Sequence, residues 1–275
     1  MTYCVAMSLD GGLVFLSDSR TNAGLDQIST FRKMTVYEKE GDRVMVLLAA
    51  GNLALTQAVR QLLNGHTLEC DDGPVSIWNC KTMFDAARIV GSAIRKVFER
   101  DGDSLRKFGI EFNLNLIFGG QIKGEPTRLF NVYAAGNFVE AGEDGVCYFQ
   151  IGESKYGKPI IDRVVNRSTP LDQAAKCALV SMDSTLKSNL SVGLPLDLLI
   201  YHADTLHAQR IVHIDEHDPY FRMIRSSWGQ RLREVFESIP NPVWDETSSE
   251  SGLRPPSQHE QLNPIRKVNA PQQAS

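Results

Sequence analysis

The chain has 275 residues, 42% hydrophobic and 23% charged, with a formal net charge of -4. That is ample for a globular core, and no basic stripe or Lys/Arg cluster points to nucleic acid or to a membrane surface. No apolar run reaches the length of a membrane span, and the five cysteines, with no CxxC pair and no Cys/His ligand run, suggest neither a disulfide framework nor a metal site.

The chain opens on what reads as a β-hairpin. Residues Tyr3 to Leu9 and Leu13 to Ser19 are rich in strand formers, with the turn-forming Asp10-Gly11-Gly12 between them. A three-residue loop would set Leu9 opposite Leu13 and Cys4 opposite Asp18, and would put Asp18 on the sheet face of Thr2. A two-residue turn would shift that register and send Asp18 to the other face. With the longer loop, one face carries Tyr3, Val5, Met7, Leu9 and Phe15, and the other Cys4, Ala6, Val14 and Leu16. Both faces are apolar or small, so the hairpin should be covered on both sides.

Further strands are expected at 31–37, 44–50, 112–120, 128–134, 145–151, 196–202 and 208–214. Helices are expected at 53–63, at 82–100 with Phe84, Ala87, Gly91, Ile94 and Phe98 on one stripe, from Thr169-Pro170 onward, and at 220–238. Thr169 is placed as a cap and Pro170 at the first helical position. The stripe of that third helix, Leu171, Ala174, Ala175, Ala178, Leu179 and Met182, is small enough to lie close to a sheet. This order is not βαβ alternation; it suits two antiparallel sheets with helices outside, an α+β fold of four αββα layers. One domain is expected over 1–240. The remainder, 241–275, is Pro/Ser/Gln-rich and poor in apolar residues. It reads either as a disordered tail or as an assembly arm anchored by Leu253, Leu262, Ile265 and Val268. The first residues lack the basic and apolar regions of a signal peptide, so a cytoplasmic location is expected.

Thr2 is the candidate for chemistry. A threonine hydroxyl is a poor nucleophile without a base, but at a free N-terminus the α-amine, with a reference pKa of about 7.7–8.0, is such a base. Removal of Met1 would expose it. This design asks for a nearby lysine, whose positive charge lowers the amine pKa, and for a carboxylate to hold that lysine. Lys33, in the run Phe31-Arg32-Lys33-Met34 bounded by apolar residues, and Asp18, at the end of the second strand, meet those needs. Each residue alone is a weak signal; only the combination is specific. No histidine spacing suggests a metal, and no glycine pair has a phosphate-loop context, so no cofactor is expected.

The stretch from Thr2 through Gly24, with the SDSR run at Ser17 to Arg20 and Phe31-Arg32-Lys33-Met34, resembles the start of proteasome β-type subunits. More closely, it is similar to Anbu, the bacterial ancestral-β-subunit family. The likeness extends through Leu47 to Asn52 and Ser181 to Gly193, and covers most of residues 2–240. The resemblance implies an αββα N-terminal-nucleophile hydrolase fold, with Thr2 as nucleophile and Asp18 and Lys33 tuning it. It implies Gly51 as the backbone oxyanion donor and Ser188 and Ser191 as supporting hydroxyls. Arg20 either steadies Asp18 or is a surface charge. Phe31, Thr35, Ala49 and Leu53 align with the family's specificity pocket, where the small Ala49 leaves room for a sizeable apolar side chain. Two departures stand out: Ser188 replaces an acidic residue, and Glu153 takes a hydroxyl position in the Gly152-Glu153-Ser154 turn.

Three functional readings follow. The chain is a threonine-type peptidase acting on a peptide or protein substrate, an amidohydrolase for a small amide, or a weakly active or structural ring subunit. Either Lys33 or the α-amine could take the proton. The resemblance also implies self-association into a ring-like or open helical homo-oligomer; an ATP-driven unfoldase partner is left open.

Overall fold

A computed structural model describes residues 2–22, 28–70, 73–142 and 145–242. Among them, fourteen strands run in chain order: β1 (Tyr3–Leu9), β2 (Gly12–Asp18), β3 (Arg20–Asn22), β4 (Ile28–Thr30), β5 (Met34–Lys39), β6 (Arg43–Gly51), β7 (Leu68–Cys70), β8 (Gly73–Val75), β9 (Leu114–Ile122), β10 (Arg128–Val132), β11 (Phe138–Glu140), β12 (Tyr148–Gly152), β13 (Leu196–His202) and β14 (Arg210–Ile214). The helices are α1 (Leu53–Leu63), α2 (Met83–Lys107), α3 (Lys158–Val164), α4 (Leu171–Ser188) and α5 (Pro219–Ser238).

Two five-stranded antiparallel sheets form, in the orders β12-β1-β2-β13-β14 and β11-β10-β9-β6-β5. Three apolar clusters define the layers. One joins β1, β2 and β13 to α3, α4 and the first turns of α5. A second joins β6, β9 and β10 to α1 and α2. The third lies between the sheets and holds Cys4, Phe15, Leu48, Ile117 and Leu199. The arrangement is the expected αββα sandwich of the N-terminal-nucleophile type. Among the described residues no helix is long and apolar enough to cross a membrane. By compactness the chain divides into Met1–Trp228 and Gly229–Ser275, the second unit beginning within α5. The tail read from the sequence lies outside the described residues from 243 on.

The opening hairpin differs from its expected register. Leu9 pairs with Gly12 and Cys4 with Ser17, a two-residue turn at Asp10-Gly11. Gly12 belongs to the strand because β13 presses against it: a Cβ there would lie 2.0 Å from the Tyr201 carbonyl oxygen. The one-residue slip exchanges faces. Val14 and Leu16 join Tyr3, Val5 and Met7 under the helices, while Phe15 joins Cys4 and Ala6 between the sheets. Asp18 therefore does not reach Thr2 by sharing its sheet face.

Helix α4 buries all six stripe residues, but its start departs from expectation. Pro170 is itself the N-cap, and Thr169 Oγ1 accepts the Asn166 N–H instead of capping. The strand expected from Phe31 begins only at Met34, because the Phe31 N–H leaves the ladder to donate to the Ser19 carbonyl. Of the α2 stripe, Phe84 and Phe98 are exposed on one side, yet pack edge-on against Phe138 and Phe112. The short strands β3, β4, β7, β8 and β11 and the helix α3 were too brief to show periodicity.

Candidate active site

The site forms where several strands end together. Thr2 precedes β1 and is 8% exposed. Its carbonyl accepts the Glu153 N–H at 2.8 Å, which ties the end of β1 to the residue after β12. Gly152 makes that approach possible. Its φ is +81°, and a Cβ there would sit 1.9 Å from the Thr2 carbonyl oxygen. Gly152→Ala is therefore expected to cost roughly 1–3 kcal/mol in backbone strain and to push Thr2 out of place. Thermal unfolding and turnover, measured together, should both fall; a variant that melts and acts like the parent would show that Thr2 tolerates the shift.

Asp18 is fully buried and holds three groups. Its Oδ1 accepts the Tyr3 N–H at 3.0 Å and Lys33 Nζ at 2.7 Å, and its Oδ2 accepts the Gly193 N–H at 3.4 Å. Asp18 thus grips the backbone one residue beyond Thr2 and the Lys33 ammonium with the same oxygen. Lys33, 7% exposed, also donates to the Arg20 carbonyl at 2.7 Å. Burial pushes the Asp18 carboxyl up; Lys33, by charge and hydrogen bond, and the two backbone N–H groups oppose that rise. Lys33 stands just before β5 rather than within a strand, and its carbonyl accepts the Ala49 N–H at 3.0 Å.

Thr2 and Lys33 line one cavity of about 640 Å³ at the open end of the two sheets. Gly152 and Glu153 form its floor on the β1 side. Ala49, Ala50 and Gly51 of β6, with Asn115 of β9 and Asn113 just before it, form the facing wall. Gly51 has φ +106° and no room for a Cβ, which would meet the Asn113 carbonyl oxygen at 2.5 Å. Directly after it, Asn52 caps α1, with Oδ1 accepting the Ala54 N–H at 3.0 Å, so the positive end of the helix dipole faces the cavity.

The other expected residues are distributed differently. Ala49 and Leu53 line the Thr2 cavity. Thr35 lines an adjoining pocket with Tyr37 and Arg60, and Phe31 is 40% exposed. Arg20 donates from Nη1 to the Leu190 carbonyl at 3.0 Å and packs on Gly193; its own carbonyl, not its guanidinium, meets the Asp18–Lys33 pair. Ser188 ends α4 and is exposed, and the Ser191 N–H donates to Asn189 Oδ1 at 2.9 Å; neither lines the Thr2 cavity. Residues not anticipated from the sequence are Arg32, Thr56, Arg60, Asn113 and Asn115. Helical spacing held the signal for two of them: Thr56 and Arg60 stand three and seven positions after Leu53, on one face of α1. Among the described residues no three His, Cys, Asp or Glu side chains gather as metal ligands would.

Solved structures resemble this chain closely. "Anbu (ancestral beta-subunit)" from Yersinia bercovieri is 52% identical, with 88% of this chain and 100% of that chain covered and a TM-score of 0.81. An Anbu (Gly-1) mutant from Hyphomicrobium sp. strain MC1 is 48% identical over 89% of this chain and 100% of that one, with a TM-score of 0.81. The helical assembly of the Anbu complex from Pseudomonas aeruginosa is 46% identical over 88% of this chain and 98% of that one, also at 0.81. No protein-family model and no curated protein matches the sequence.

Proposed function

The chain belongs to the Anbu family, the ancestral β-subunits, and from that premise we propose that it is a proteasome-type threonine peptidase, with Thr2 as its nucleophile once Met1 is removed. The observation that carries this reading is the shared Asp18 oxygen, which binds both the Tyr3 N–H, one residue beyond Thr2, and the ammonium of Lys33, itself a lining residue of the Thr2 cavity.

In the mechanism we assign, Thr2 Oγ attacks the substrate carbonyl carbon and its proton passes to the neutral α-amine. The carbonyl oxygen becomes an oxyanion, for which Gly51 N–H is the assigned donor. The Ala49 N–H, two residues earlier on the same strand, already serves the Lys33 carbonyl, and strand alternation aims the Gly51 N–H along that same edge, past the end of pairing. The N-terminal end of α1 adds positive potential there. Collapse of the intermediate breaks the C–N bond, and the α-ammonium returns its proton to the departing amine. Water then cleaves the ester by the same route. Lys33, held by Asp18, keeps positive charge beside the α-amine, which favours the neutral amine needed as base. The Gly193 N–H, at 3.4 Å from Asp18 Oδ2, helps to hold that carboxylate; Ser188 and Ser191, which do not line the Thr2 cavity, take no step in this mechanism.

An epoxyketone tests this reading, since it needs a hydroxyl and a free amine on one residue to close its ring adduct. Intact mass should show loss of Met1 and a single adduct, absent from Thr2→Ala. A chain that keeps Met1, or matures but takes no adduct, would instead support a structural subunit.

We also infer that the chain self-associates. The Pseudomonas relative forms a helical assembly, and a heterologous contact that does not close generates a helix. Light scattering after gel filtration should give a mass of many chains; a monomer would exclude it.

A further inference from the structure

One wall of the Thr2 cavity carries positive charge with no counter-ion among the described residues. Leu53, Thr56 and Arg60 succeed one another along a single face of α1, and all three line the cavity. At a rise of about 1.5 Å per residue, Arg60 lies roughly 10 Å along the helix from Leu53, a span that an arginine and a glutamate side chain bridge together. Arg60 Nη1 donates to the Arg32 carbonyl at 3.1 Å, which steadies the guanidinium against the wall, and Arg32 itself lines the cavity beside it.

Arg60 is half-buried, yet neither it nor Arg32 has a carboxylate partner among the described residues. The adjoining pocket on the far side of Arg60 is polar but otherwise uncharged, formed by Thr35, Tyr37, Gln57, Gln61 and Asn64, and Thr35 Oγ1 is buried there without a partner. Among the described residues the cavity has one carboxylate, Glu153, which belongs to the β12 side and has Lys155 Nζ at 4.0 Å. A half-buried guanidinium with donors to spare, and the exposed Arg32 beside it, favour an incoming carboxylate, whose two oxygens fit the planar fork.

We propose that Arg60, backed by Arg32, forms an acidic subsite, so that this peptidase selects peptides with Asp or Glu on the acyl side of the scissile bond. The small Ala49 then serves to admit the side chain, and Leu53 packs on its methylenes; the expectation of an apolar preference gives way to one for a carboxylate. This proposal rests on the peptidase reading and names its substrate class.

The test is binding to the Thr2→Ala variant, which removes turnover from the measurement. Fluorescein-labelled peptides identical except for a terminal Glu, Gln or Leu amide are titrated by fluorescence anisotropy. The Glu peptide should bind about tenfold more tightly than its Gln isostere, as a charge-assisted hydrogen bond allows. Arg60→Gln should abolish that margin and Arg60→Lys should keep part of it. Equal binding of the Glu and Gln peptides, tighter binding of the Leu peptide, no binding of the Glu peptide, or a margin that survives Arg60→Gln would each overturn the subsite. The wild-type protein separates the two claims: cleavage after Leu with no Glu preference leaves the peptidase and removes the subsite, whereas Arg60-dependent binding of Glu peptides with no cleavage of any peptide leaves the subsite and removes the peptidase.

Discussion

Thr2→Ala should reduce hydrolysis to background, a fall on the order of 10⁶ in kcat if the parent rate is high enough to measure it, because removing a nucleophile ends covalent catalysis altogether. The fold should not notice. Thr2 precedes β1 and is held through its backbone carbonyl by the Glu153 N–H, a bond that alanine keeps. The change in stability should stay within about 1 kcal/mol. Alanine at the second position also leaves Met1 removal undisturbed, so the variant matures as the parent does. Thr2→Ser supplies the matching control: it restores a hydroxyl on the same amine and should recover part of the rate. An alanine variant that still cleaves would show that Thr2 is not the nucleophile, and the cavity would need another.

Most of the elements behind this prediction could be read from the chain itself. Helix α1 and strand β13 coincide with their expected limits because each is bounded by strong local signals, Asn52 as a cap before α1 and Pro195 before β13. The hairpin failed in one respect, its loop length. The sequence Asp10-Gly11-Gly12 is as compatible with three residues as with two; what decides is the Tyr201 carbonyl of a strand almost two hundred residues away. Asp18 and Lys33 were legible as a pair, but the way they meet Thr2 was not. The expected route ran through a common sheet face, whereas the observed one runs through the Tyr3 N–H. Arg60 was missed for a different reason. A helix with Leu55, Val59 and Leu63 on its buried side presents its polar side as solvent-facing, and beyond the helical spacing from Leu53 nothing local says that this polar side closes over a cavity built by Thr2 and by residues of β6, β9 and β12.

The buried ion pair should give the second large effect, and it separates stability from catalysis. Lys33→Met leaves the Asp18 carboxylate buried without its cation, which should cost about 3–5 kcal/mol and lower the melting temperature by roughly 6–20 °C in a domain of this size. Activity should be lost as well, since the charge beside the Thr2 amine is gone. The double variant Asp18→Asn with Lys33→Met removes both charges, and the amide oxygen that replaces the carboxylate can still accept the Tyr3 N–H. It should regain much of the stability, as neutral replacements of buried pairs commonly do, and none of the activity. The pH dependence follows from the same chemistry. In Lys33→Met the upward push of burial on the Asp18 carboxyl loses its main opponent. A carboxyl whose pKa is higher folded than unfolded lends its stability in acid and withdraws it as pH rises through the folded value. The deficit of Lys33→Met should therefore be smallest in acid and widen toward neutrality, while the double variant, with no carboxyl at position 18, should show no such widening relative to the parent. Melting curves of the three proteins across pH, with turnover measured beside them, read both effects. If Lys33→Met melts with the parent at neutral pH, the pair contributes nothing to the fold, and if it also turns over, Lys33 has no part in tuning Thr2.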